Sequence, residues 1–300
     1  MRKTTATFAT VSLAATFALA ACGSNDSGGG SGGGSQTASK ATGTCSLTSP
    51  PTSGAQAPPS TKLGKASGKV GVILPDTTSS TRYTLYDKPL LEKALTDAGI
   101  QADVQNAQGN KSTFASIAQN MIGAGTKVML IDSIDAPSGA GVEQSAGKAG
   151  VKVIDYDRVN LGGTAPYYVS FDNEDVGKLQ AQTLVDCLNS TGVTNPKIIM
   201  MDGGTDVDNN AVLFKKGAHE VLDPLQQAGK LKIVSEAVVK GWTVSNAAPA
   251  FSQALTAAGG QVDGVVAAND DIANAVIGVL KNQGLNGHVA VTGQDSGVEG

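Results

Sequence analysis

Beyond residue 68 the chain alternates short apolar runs with stretches of helical period. Residues 69–74, Lys-Val-Gly-Val-Ile-Leu, read as a buried strand. Residues 86–98 then read as a helix that places Leu90, Leu91, Ala94 and Leu95 on one face, with Gly99 past its end. Strands are expected at 102–105, 127–131, 152–154 and 167–171, separated by helices at 113–122 and 141–149. The pattern restarts with a helix at 175–189. Strands at 197–201, 231–237, 264–268 and 288–292 then alternate with helices at 211–222, 247–258 and 271–282, and Pro224 is expected just beyond the first of these. Such alternation implies right-handed crossovers and parallel sheets. The expected fold class is α/β: two similar lobes at 67–172 and 173–300, each an open parallel sheet flanked by helices, joined by a hinge with a cleft between them.

The residues before this region have a different character. Arg2 and Lys3 precede a short apolar stretch of small residues that ends Leu19-Ala20-Ala21-Cys22. The stretch is weakly apolar for a membrane span and resembles the signal of bacterial lipoproteins, in which the Cys is lipidated. Residues 1–21 are therefore expected to be a signal peptide and Cys22 the lipidation site. Residues 22–66 are rich in Gly, Ser, Thr and Pro and lack the apolar content for a core, which predicts a tether. Roughly 40 flexible residues reach on the order of 35 Å. Cys45 lies in this tether and Cys187 in an expected helix. An exported protein can keep a disulfide between them, and a free buried Cys187 is the alternative.

In open parallel sheets ligands bind beyond the carboxyl ends of the strands. The polar residues at those ends are Arg82 and Tyr83 after the first strand, Asp157 and Arg158 after the fourth, Asp208 and Asn210 before a helix of the second lobe, Trp242, Asn269 and Asp295. Acceptor-only carboxylates beside donor-only guanidiniums suit a ligand whose every group both donates and accepts, and Trp242, the one tryptophan, offers an aromatic face. A sugar is such a ligand. Asp208 and Asn269 also read as helix N-caps, a compatible role.

Other chemistries fit poorly. The formal net charge of −4 does not suggest nucleic acid. Gly123-Ala124-Gly125 precedes a strand, the wrong order for a dinucleotide fingerprint. Asp206, Asp208 and Asn210 open like a calcium loop, but Ala211 and Gly217 stand where its Gly and Glu belong. No metal, cofactor or catalytic group is expected. A glycosidase needs a carboxylate pair with one raised pKa, whereas these Asp residues lie beside Arg or Asn.

Seven motifs carry a closer resemblance: Ser80-Thr81-Arg82-Tyr83, Ile154-Asp155-Tyr156-Asp157-Arg158, Ser170-Phe171-Asp172-Asn173-Glu174, Asp208-Asn209-Asn210-Ala211, Gly241-Trp242, Ala268-Asn269-Asp270 and Gly293-Gln294-Asp295. Together they resemble the type I periplasmic sugar-binding proteins of ABC transporters, in the D-xylose-binding and multiple-sugar-binding branch. The resemblance implies a sugar held by Arg82, Asp157 and Arg158 from one lobe and by Asp208, Asn210, Asn269 and Asp295 from the other, with Tyr83 and Trp242 sandwiching the ring. Tyr83 stands where the xylose branch usually has Trp. The implied partners are a monosaccharide, ABC permease subunits and, through the lipid anchor alone, the outer face of the cytoplasmic membrane; a monomer is expected. A sugar-sensing module feeding a chemoreceptor or kinase is the alternative. The family's chain continues past Gly293-Gln294-Asp295, so the sequence reads as C-terminally truncated. A truncated chain is expected to be less stable than a full-length relative and to bind weakly or not at all.

Overall fold

A computed structural model describes Cys45 and residues 68–297; the signal, the Cys22 lipidation site and most of the tether expected at 22–66 lie outside the described residues. The first sheet contains β1 (Lys69–Leu74), β2 (Gln101–Asn106), β3 (Thr126–Ile131), β4 (Lys152–Tyr156) and β5 (Tyr167–Val169), ordered β2-β1-β3-β4-β5 and parallel throughout. Helices α1 (Lys88–Asp97), α2 (Lys111–Gly123) and α3 (Ala136–Lys148) connect its first four strands. A π-helical turn at Tyr83–Asp87 precedes α1. The second sheet contains β6 (Lys197–Asp202), β7 (Lys232–Val238), β8 (Gly264–Ala267) and β9 (Ala290–Thr292), ordered β7-β6-β8-β9, with α4 (Asn173–Ser190) leading into it. Helices α5 (Asn209–Gln227), α6 (Val244–Ala257) and α7 (Asp270–Asn282) join its strands.

Burial explains the strand sequences. A parallel strand covered on both faces needs no polar alternation, and β8, Gly-Val-Val-Ala, is buried at every residue. Phe114, Met121, Met129 and Ile131 fill one face of the first sheet, and Val72, Leu74 and Tyr83 the other. In the second lobe Phe214, Trp242, Phe251 and Ile272 form one cluster, and Leu184, Ile198, Met200 and Leu222 the opposite one. Polar N-caps fix where helices begin: Asn110 accepts from the Thr113 N–H, Asp135 from Ser138, Asp172 from Asp175, Asp208 from Asn210 and Asn269 from Ile272.

Three expectations are corrected. Leu90 is 61% exposed, so the apolar face of α1 rests on the half-buried Leu91 and Leu95. The third helix starts at Ala136, five residues before the expected position, because Asp135 caps it and Pro137 suits its first turn. Pro224 lies inside α5, which runs on to Gln227. Cys45 and Cys187 are joined by a disulfide with Cα atoms 5.0 Å apart, so Cys187 is not a free thiol.

Helices α4 and α5 pack at close quarters through two glycines. A Cβ on Gly177 would collide with the Phe214 carbonyl oxygen, and one on Gly217 with the Glu174 carbonyl oxygen. Gly177→Ala is expected to cost about 1–3 kcal/mol and lower the melting temperature by several degrees. An unchanged melt would mean that the two helices separate freely.

Candidate functional site

Both sheets order their strands so that neighbouring connections run in opposite directions, at β1/β3 in the first and β6/β8 in the second. The residues that follow these strands converge on one cleft. Arg82 comes from the segment after β1, Asp132 directly follows β3, and Asp157 and Arg158 follow β4. Asp208 caps α5, Trp242 closes a short 3-10 turn after β7, Asn269 caps α7, and Asp295 lies beyond β9. The cleft is nearly filled by the side chains around it and keeps a cavity of about 30 Å³. All nine residues expected from the sequence line it, together with Ser79, Ser80, Phe171, Asn173, Phe214 and Gln294.

The cleft is dominated by a charge cluster. The Arg82 guanidinium lies 2.6 Å from the Asp157 carboxylate, 3.0 Å from Asp87, 3.8 Å from Asp295 and 4.0 Å from Asp132. Arg158 Nε lies 3.3 Å from Asp208 and 3.6 Å from Asp132, while Nη1 donates to the Ser133 carbonyl. Five carboxylates thus surround two guanidiniums, a formal charge of −3 if all are ionised. Burial raises the pKa of Asp132 well above the usual carboxylate range, with the neighbouring Asp157 charge adding to the effect and both arginines opposing it. Burial also raises Asp208 and Asp87, against Arg158 and Arg82 respectively. It pushes Asp295 up to about 6, again against Arg82.

Several contacts run between the lobes. Asn210 Nδ2 donates to the Asp157 carbonyl at 2.9 Å, the Ser80 hydroxyl to Asp295 at 3.2 Å, Asn269 Nδ2 to the Ser79 carbonyl at 3.4 Å, and the Thr81 N–H to Asp271 at 3.1 Å. Asp208 accepts from the Asn210 N–H with one oxygen and from Trp242 Nε1 at 3.0 Å with the other, so a helix cap also orients the indole. That indole lies edge-on to Phe214, with ring centroids 6.3 Å apart, and fills the space a side chain at Gly203 or Gly204 would need. Tyr83 is buried; its ring lies under the Arg82 guanidinium at 4.7 Å, and its hydroxyl meets Asp157 and Arg158.

Backbone strain collects at the same place. Asp157, Trp242 and Asp295 all hold positive φ, at 66°, 58° and 96°. Non-glycine residues seldom adopt such angles, and surrounding contacts must hold them there. The loop after Asp157 is pinned from behind: Asp155 accepts from the backbone and side chain of Asn160, and Glu143 from the Thr164 and Ala165 N–H groups. Sequence reading missed Asp132, Asp87 and Asn173. Asp132 had a usable signal, since Asp132-Ser133 directly follows the apolar run of β3. Asp87 had none, because it ends a π-helical turn that periodicity does not reveal.

The periplasmic binding protein domain family matches residues 70–300. The chain is 40% identical over 214 residues to the D-xylose-binding periplasmic protein of Escherichia coli, covering 71% of this chain and 63% of that relative. It is 35% identical over 242 residues to a multiple sugar-binding periplasmic receptor of Rhizobium radiobacter, covering 76% and 68%. The chain therefore spans less than two thirds of the length of the Escherichia coli relative. Among solved structures, an ABC transporter solute binding protein from Clostridium phytofermentans with bound β-D-glucose superposes with a TM-score of 0.67 at 31% identity, covering 76% of this chain and 73% of that one. Among the described residues no helix is long and apolar enough to cross a membrane, and no group of His, Cys, Asp or Glu is arranged to hold a metal ion.

The raised pKa of Asp295 has a measurable consequence. Protonation is favoured in the folded state, so the stability this carboxyl contributes is full below the usual carboxylate range and is lost as pH rises through about 6. Carboxyl-detected NMR titration is expected to give a midpoint near 6 for Asp295. A midpoint at about 4, the ordinary value, would mean that Arg82 fully offsets burial.

Proposed function

The chain belongs to the periplasmic binding protein domain family, and we propose that it is the extracytoplasmic receptor of a sugar ABC transporter, capturing D-xylose or a similar aldopyranose between its lobes. The observation that carries this reading is the charge cluster shared across the cleft, with Arg82 and Arg158 facing Asp132 and Asp157 on their own lobe and Asp208 and Asp295 on the other. A neutral polyol suits such a site. Its hydroxyls donate to carboxylates and accept from guanidiniums without adding charge, and hydrogen bonds to charged groups are worth about 1.5–3 kcal/mol each. The names of the Escherichia coli and Rhizobium radiobacter relatives and the glucose in the Clostridium structure point the same way.

In this reading Asp157, Arg82 and Arg158 hold the sugar from the first lobe, and Asp208, Asn210, Asn269 and Asp295 from the second. Trp242 and Tyr83 give the ring its apolar walls. Closure is favoured to the extent that the ligand touches both lobes, and this reading puts the hinge at residues 170–173, whose Ser-Phe-Asp-Asn resembles the family's hinge-entering segment. The closed form is what a permease partner would read, and the receptor itself catalyses nothing. Export, the anchor at Cys22 and a monomeric state belong to the same proposal.

Calorimetric titration of residues 23–300 with D-xylose, D-glucose, L-arabinose, D-galactose and D-ribose tests the reading, alongside a chain carrying the family's C-terminal continuation. Saturable binding of one sugar to either chain is expected. Silence of both towards all five would overturn the reading. Asp157→Ala is expected to abolish binding while leaving the melt cooperative; retained affinity would remove Asp157 from its central place.

A further inference from the structure

Asp132 is the most deeply buried carboxylate of the cluster, with no exposed surface, and it does not line the cleft. Neither of its oxygens has a hydrogen-bond partner among the described residues. Such a group normally costs stability, and in a fold kept only for packing an apolar residue would serve better. Its place gives it another use. It follows β3, between β1 and β4 in the sheet, and so stands between Arg82, which arrives from the β1 side, and Arg158, which follows β4.

The two arginines are unequally provided for. Arg82 has Asp157 and Asp87 on its own lobe. Arg158 has two carboxylates within ion-pair distance, Asp208 of the second lobe and Asp132 of the first. When the lobes part, Asp208 leaves with α5 and its lobe. Asp132 is then the carboxylate left to hold Arg158 in the cleft. We infer that Asp132 is a positioning residue for ligand capture, keeping Arg158 aimed into the open cleft so that an arriving polyol meets a preset donor. The inference rests on the sugar-capture reading above.

The role predicts an unusual separation of effects. Removing Asp132 strands no cation in the closed form, because Arg158 keeps Asp208 and the Ser133 carbonyl. Asp132→Asn is therefore expected to leave release of a bound sugar from the closed form nearly unchanged. In the open form Arg158 loses its carboxylate, so capture slows. Stopped-flow fluorescence of Trp242, the only tryptophan, reads this directly. Association with D-xylose is expected to slow by about tenfold, with dissociation changed by less than about twofold. The measurement uses whichever of the two chains binds in the calorimetric test. An association rate equal to the parent's would overturn the assignment. So would faster release from the closed form, the signature of a packing role. If Asp132→Asn does not fold, Asp132→Ser is read in the same assay, and failure of both to fold would make Asp132 structural. If neither parent chain binds any sugar, the capture reading fails and this assignment falls with it.

Discussion

Two guanidiniums placed between two sheets are the constraint on which the rest of the cleft depends. Buried charges are tolerated only when paired, and Arg82 and Arg158 between them face five carboxylates. Three come from the first lobe and two from the second. The closed arrangement therefore gives each arginine more partners than its own lobe supplies. It also crowds like charges, and burial holds Asp87, Asp132, Asp208 and Asp295 above the ordinary carboxylate range. A site balanced in this way is sensitive to whatever enters it, since each new donor or acceptor redistributes the pairings.

The scaffold is built to hold that balance in register. Parallel strands, with β3 at the centre of the first sheet and β6 and β8 inside the second, bring successive loops to one edge, and capped helices fix where those loops end. Asp208 joins both tasks, since one oxygen caps α5 and the other holds the Trp242 indole. The positive φ angles at Asp157, Trp242 and Asp295 are costs that fold stability must absorb elsewhere. The close α4–α5 contact through Gly177 and Gly217 holds two helices of the second lobe against each other.

Much of this is legible in the sequence because it depends on local signals. Strand and helix alternation follows from apolar period, and the nine expected cleft residues follow a strand, cap a helix or, like Tyr83 and Asn210, stand in a first helical turn, which places them on one edge. What the sequence conceals depends on tertiary distance. Asp132 follows a strand like the others, but only its position between two arginines from different loops gives it weight. Asp87 sits on a π-helical turn whose period no helical pattern anticipates, and Leu90 looks like a core residue until the packing of α1 leaves it outside. Pro224 reads as a helix terminator, yet the turn before it can leave a carbonyl unpaired at modest cost near a helix end.

In the proposed function a bound sugar draws together two lobes that otherwise part. Small-angle X-ray scattering with and without saturating sugar reads this movement. A smaller radius of gyration is expected on binding, with Asp208→Ala weakening both the compaction and the affinity. Saturable binding with an unchanged radius of gyration would contradict it, because the arginines would then be serving one lobe alone.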